Sequence, residues 1–83
     1  MELRQLRYFA AIAKHGSFSK AAEQAFVAQS ALSHQLAQLE EELGTQLFVR
    51  TTRSTRLTRA GTLFLEHVRR VFAALQQARD SVK

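Results

Sequence analysis

Apolar residues recur along this chain with helical period, broken once by a shorter stretch of β character. In residues 2–15, Leu3, Leu6, Phe9, Ala10, Ile12 and Ala13 form one broad stripe, and Gly16 follows as a C-terminal cap. Arg4, Arg7 and Lys14 lie off that stripe. Ser17 is placed to cap a second, short helix ending near Ala25, because its hydroxyl can accept a first-turn N–H. Phe18 points inward there, and Ala21, Ala22 and Ala25 give a small face that another helix can approach. Phe26 and Val27 interrupt the period and predict a buried corner. A third helix is predicted from about Gln29 to Leu43, closed by Gly44, with Leu32, Leu36, Leu39 and Leu43 in a narrow stripe. Its first turn lacks a good cap, since Ala28 stands where Ser or Thr is preferred. Either Gln29 or Ser30 takes over, or the turn stays open until an anion such as a phosphate meets it.

Residues 47–58 change period. Leu47, Phe48 and Val49 lead in, Leu57 returns, and Thr51, Thr52, Ser54 and Thr55 form a polar, β-compatible tip, which predicts a small hairpin. Arg50, Arg53 and Arg56 recur every third residue, so an extended hairpin does not put them all on one face. Thr58 then caps a last helix to Lys83, about 37 Å long at 1.5 Å per residue. Leu65, Val68, Phe72, Leu75, Arg79 and Val82 alternate by three and four along it as a seam, which Phe64, Val71 and Ala78 widen. One small domain cannot cover both sides of so long a helix. The expectation is that an inner stripe packs on its own domain while the seam pairs with a second copy of the chain. Two parts follow, residues 1–58 as the helix-turn-helix body and 59–83 as a linker and dimerisation helix.

The second and third helices draw attention as a reading unit. Opposite the leucine stripe of the third helix lie Ser30, His34 and Ala37, with Ser33 and Gln38 on the flanks. That face is short, polar near its start, and free of acids until Glu40. Such a helix can lie in a major groove. Glu40, Glu41 and Glu42 stand at the C-terminal end, where the helix dipole disfavours acids and DNA would repel them, so that end is expected to lie away from a duplex.

Charge supports this picture. The 83 residues carry a formal net charge of +5, which favours anionic partners. Its distribution says more than its sum. Between Glu42 and Glu66 stand Arg50, Arg53, Arg56 and Arg59 with no acid, whereas no formal charge lies between Glu23 and Glu40. Positive charge therefore gathers beside the reading helix rather than on it. A basic hairpin rich in Thr and Ser beside such a helix is a wing; Arg50 and Arg56 either contact phosphate or remain solvated. There is no cysteine, which excludes a disulfide framework and a thiolate metal site and fits a reducing compartment. No apolar run reaches the ~20 residues of a membrane span. His15, His34 and His67 are too scattered for a metal site, and no cofactor is expected. Ser33 and His34 do not make a nucleophile and base, because helical neighbours point about 100° apart and no third group orients the histidine, so an enzyme is not expected. Phe9, Phe18, Phe26, Phe48 and Phe64 are assigned to the core, not to stacking on bases.

The blocks MELRQLRYF, GSFSKAAE at 16–23, QSALSHQLAQLEEELGTQLFVR at 29–50 and LTRAGTLFL at 57–65 together resemble the N-terminal domain of LysR-type bacterial transcriptional regulators. The resemblance implies a mainly α, winged helix-turn-helix fold: three helices, a two-stranded wing and a long C-terminal linker helix that forms a homodimer. It implies sequence-specific binding of double-stranded DNA at a partly palindromic promoter site, action on RNA polymerase, and a cytoplasmic, nucleoid-associated location. Carried over by position, Gln29, Ser30, Ser33, His34 and Gln35 fall where the family's recognition helix meets bases and backbone, and Arg53 falls at the wing position that looks into the minor groove. Departures are Ala28 for the usual Ser or Thr, Ser30 where Pro is common, His34 where Arg is common, and Arg59 for a usual acid. Arg at position 34 would pair bidentately with guanine; His makes only one such bond per ring edge. The family's larger effector-binding half is expected beyond these residues, so a small-molecule effector would act only through that half. A non-specific, nucleoid-packing DNA binder is the rival reading, and a purely protein-binding helical module a weaker one.

Overall fold

Local capping chemistry marks most element boundaries in the computed structural model, which describes residues 1–83. The order is α1 (Leu3–His15), α2 (Phe18–Ala25), α3 (Gln29–Leu43), β1 (Phe48–Arg50), β2 (Thr55–Leu57) and α4 (Arg59–Ser81). At the start of α1, the Gln5 side chain accepts the Glu2 N–H at 3.1 Å, one half of a capping box. Gly16 (φ 65°) and Gly44 (φ 72°) end α1 and α3 in the left-handed region that favours glycine. Ser17 Oγ accepts the Lys20 N–H at 3.2 Å, as its sequence position predicts. β1 and β2 pair antiparallel with Phe48 opposite Leu57, Val49 opposite Arg56 and Arg50 opposite Thr55.

The core lies where α1, α2, α3, the base of the hairpin and the first half of α4 converge. Phe9, Ile12, Leu32, Leu39, Leu47 and Val68 are fully buried. Phenylalanines tie the elements together: Phe64 on α4 meets Phe9 on α1 at 5.2 Å between ring centroids, Phe9 meets Phe48 on β1 at 5.4 Å, and Phe48 meets Phe18 on α2 at 5.8 Å. Tilted and edge-on pairs of this kind each add about 0.5–1.5 kcal/mol beyond the area they bury.

Two sequence expectations change. Phe26 is not a core residue: it is 94% exposed and sits at φ 57° as the C-cap of α2. The turn into α3 needs one left-handed residue, and that conformation swings the ring outward. Val27 closes the corner instead, half-buried, with its N–H donated to the Ala22 carbonyl at 3.1 Å. The second change concerns α4. Val68, expected in the seam with a partner chain, is 1% exposed within the chain's own core, and Leu65 and Phe72 pack against that core. Packing therefore crosses the 58/59 junction. The large apolar residues left exposed are Leu63 and Val71 on α4 and Val82 just past its end, and the long axis of the molecule measures 45 Å.

The junction between β2 and α4 rests on two residues. Thr58 Oγ1 donates to the Gln46 carbonyl at 2.7 Å and accepts the Gly61 N–H at 3.0 Å, while the Thr58 N–H donates to the Leu47 carbonyl at 3.0 Å. Gly61 is buried against the Leu47 backbone that leads into β1. A Cβ there would collide with the Leu47 carbonyl oxygen and stand 3.0 Å from Leu57 Cδ2.

Candidate nucleic-acid interface

The leucine stripe of α3 fixes its roll. With Leu32, Leu36 and Leu39 buried, Ser30, His34 and Ala37 stand exposed on the opposite side. Gln29 opens the helix, exposed, with its Oε1 accepting from Ser19 Oγ at 2.9 Å. That bond ties α3 to α2 and was not visible in the sequence, where Ser19 is only the second residue after a cap. Ala28 occupies the N-cap position with no side-chain hydrogen bond, and neither Gln29 nor Ser30 takes over the cap. The first-turn N–H groups of α3 thus stay open to an external acceptor.

The flanks differ. Ser33 is half-buried on the side of α3 that faces the wing, where it shares a cleft with Val49 and Arg50. Gln35 is half-buried on the opposite flank, where its Oε1 accepts from Gln5 Nε2 at 3.3 Å. Ser30 and His34 therefore form one exposed face, with Ser33 and Gln35 at its edges and Gln29 exposed at the start of the helix.

The three wing arginines take three different positions. Arg50 lies on the hairpin face toward α2, its guanidinium carbon 3.7 Å from the centre of the Phe18 ring. Such a cation–π contact contributes about 0.5–1 kcal/mol at an exposed site. Arg53 is exposed at the tip, which Thr51 shapes by accepting the Arg53 and Ser54 N–H groups at 3.3 and 3.0 Å. Arg56, opposite Val49 in the ladder, projects from the other face. None of the three is paired with a carboxylate; the two ion pairs of the chain are Met1 N-terminus to Glu42 at 2.7 Å and Arg4 to Glu2 at 3.3 Å. A polar cleft of about 200 Å³ runs between the wing and the α2–α3 corner, lined by Ser17, Ser19, Gln29, Arg50 and Arg53 among others.

Two of the three acids at the far end of α3 have structural partners. Glu40 Oε2 accepts the Leu47 N–H at 2.6 Å and so anchors the approach to β1, and Glu42 holds the N-terminus. They keep negative charge at the end of α3 opposite Gln29 and Ser30.

A family model described as "Bacterial regulatory helix-turn-helix protein, lysR family" matches residues 3–62. The chain belongs to that family. Among its relatives, the HTH-type transcriptional regulator TfdT of Cupriavidus pinatubonensis is 42% identical over 78 residues, covering 94% of this chain and 34% of TfdT. BudR of Klebsiella aerogenes, also an HTH-type transcriptional regulator, is 47% identical over 83 residues, covering 95% of this chain and 58% of BudR. The chain thus spans about a third of TfdT and somewhat more than half of BudR. Among solved structures, the complex of the BenM DNA-binding domain with catB site 1 DNA superposes with TM-score 0.94 at 40% identity, covering 99% of this chain and 91% of that one. Full-length CbnR complexed with its target DNA matches with TM-score 0.92 at 39% identity, over 99% of this chain and 28% of CbnR. The mainly helical, winged architecture is that of LysR-family DNA-binding domains.

Proposed function

We propose that this chain is the sequence-reading DNA-binding part of a bacterial transcriptional regulator, and that it binds double-stranded DNA as a homodimer. The observation that carries the reading is the pairing of an acid-free, exposed α3 face with an unpaired basic wing. Ser30 and Ala37 are short enough to let the helix axis come close to base edges, within reach of Gln29 and His34. The open first turn of α3 takes a phosphate, and Arg53 enters the minor groove beside it. Arg50 rests on Phe18 and contacts phosphate from there; Arg56, on the far face, contributes only long-range attraction. The superposition with a relative crystallised on DNA supports this placement.

The dimer uses the surface of α4 that the body leaves uncovered, Leu63 and Val71, together with half-buried Leu75, Arg79 and the terminal Val82. Two copies related by a twofold axis would set two α3 helices toward successive half-sites of a partly palindromic promoter site. Transcriptional output then comes from contact with, or obstruction of, RNA polymerase in the cytoplasm, and an effector acts through a further domain of the whole protein.

A titration of the chain against labelled duplex, an interrupted palindrome from a selected pool beside a scrambled duplex, tests the reading at several salt concentrations. The expected result is a preference for the palindrome that survives rising salt, with two chains per duplex. Equal binding to both, falling steeply with salt, would leave only the phosphate attraction and replace this function with non-specific DNA packing.

A further inference from the structure

Gln5 is the buried polar side chain of the core, 7% exposed, and both ends of its amide are committed. A backbone N–H can only donate, so the Glu2 N–H fixes which end of the Gln5 amide is oxygen, at 3.1 Å. The Gln5 NH2 group is thereby turned toward α3, where it can meet only an acceptor, and it donates to Gln35 Oε1 at 3.3 Å. Polarity set at the start of α1 passes in two bonds to the edge of the recognition helix. With its oxygen turned inward toward Gln5, Gln35 offers its NH2 group outward. A glutamine that presents both ends outward matches the donor–acceptor pair of adenine N6 and N7; one whose oxygen is turned into the protein does not. Gln29 makes the contrast. Its Oε1 is held by the Ser19 hydroxyl, which can donate or accept, and both residues are exposed, so that amide is free to turn over.

We propose that Gln5 is a positioning residue that makes Gln35 a donor-only reader, aimed at an acceptor on the duplex: a phosphate oxygen or an acceptor atom on a base edge. The inference rests on the DNA-binding reading of α3. Gln5→Glu separates polarity from fold. A glutamate at this position still accepts the Glu2 N–H, the usual acid of a capping box, but it cannot donate. Gln35 must then turn its NH2 inward and present its oxygen to the DNA.

The test is a double-mutant cycle on the 83-residue chain with Gln5→Glu, Gln35→Ala and the pair, read by affinity for the selected duplex. Gln5→Glu alone is expected to weaken binding about ten-fold, on the order of one charge-assisted hydrogen bond. In the Gln35→Ala background the same change is expected to cost about two-fold or less, which is the part the added charge contributes in either background and which cancels from the coupling. Gln5→Met, which removes the donor without adding charge, repeats the cycle should the glutamate variant not fold. Site selection on randomised duplexes separates the two acceptors: a changed preference at one base position means a base edge, and uniform weakening with a shallower salt dependence means a phosphate. An additive cycle, with the unaltered chain still preferring the selected duplex, overturns the inference alone. If the unaltered chain shows no such preference, the DNA-reading function falls and this inference with it.

Discussion

Arg50, Arg53 and Arg56 are chemically identical and three residues apart, yet their environments assign them different work. Arg50 is spread over the Phe18 ring, Arg56 projects from the opposite face, and Arg53 stands free at the tip. A narrow minor groove concentrates negative potential, so Arg53→Ala is expected to weaken DNA binding by about 1 kcal/mol or more. Unchanged affinity in a titration at moderate salt would remove Arg53 from the interface. At position 34, Arg would reach a guanine with two bonds worth about 1–3 kcal/mol of discrimination, where His makes one. His34→Arg is therefore expected to change the half-site base returned by selection on randomised duplexes, and the same motif from both proteins would show that His34 reads no base. Phe26 makes a third case. It carries a bulky side chain at φ 57° and buries almost none of it. Asn tolerates that conformation far better, so Phe26→Asn is expected to raise stability by up to about 1 kcal/mol in a thermal or urea unfolding experiment.

At the scale of elements, the β2–α4 junction holds the wing to the body. Thr58 makes three hydrogen bonds there, one as the N-cap of α4, and Gly61 lets the first turn of that helix lie against the Leu47 backbone. A methyl group at residue 61 would meet a backbone carbonyl, which cannot rotate aside as a side chain could. Gly61→Ala is expected to destabilise the fold by about 2 kcal/mol or more, despite the better helix propensity of alanine. A melting temperature equal to that of the unaltered chain would show that α4 can shift without cost. The sequence predicted the helix and its Thr58 cap from local rules, but the close approach at Gly61 depends on the Leu47 backbone, which arrives from elsewhere in the fold.

At the scale of the whole molecule, α4 is covered on one side and open on the other. Its first half closes the core through Phe64, Leu65, Val68 and Phe72, while Leu63 and Val71 remain on the outside. Replacing an exposed position with an acid should leave the monomer folded and disturb only an association through that surface. Val71→Glu is expected to shift the chain from dimer to monomer in sedimentation and to reduce its preference for the palindrome over a single half-site. A variant that still sediments as the unaltered protein does would mean that the copies meet elsewhere.

Period and capping chemistry are local, and they were legible in the sequence. The four helices, the hairpin, the Ser17 and Thr58 caps, the Gly16 and Gly44 stops and the roll of α3 all follow from residues within a turn or two of one another. The family resemblance was equally legible, in blocks that span nearly the whole chain. What only the tertiary structure decided is which of several equivalent groups met a neighbour. Two apolar stripes on α4 have the same period, and contact with α1 and the hairpin chose the one containing Val68 for the core. Phe26 has the hydrophobicity of a core residue, but the backbone twist required at that turn points it at solvent. Gln35 lies at a DNA-facing position by sequence, and a partner thirty residues away, Gln5, set the direction of its amide. Hydrophobic period specifies faces; burial and hydrogen-bond polarity arise only when distant segments meet, because they depend on what stands opposite each face.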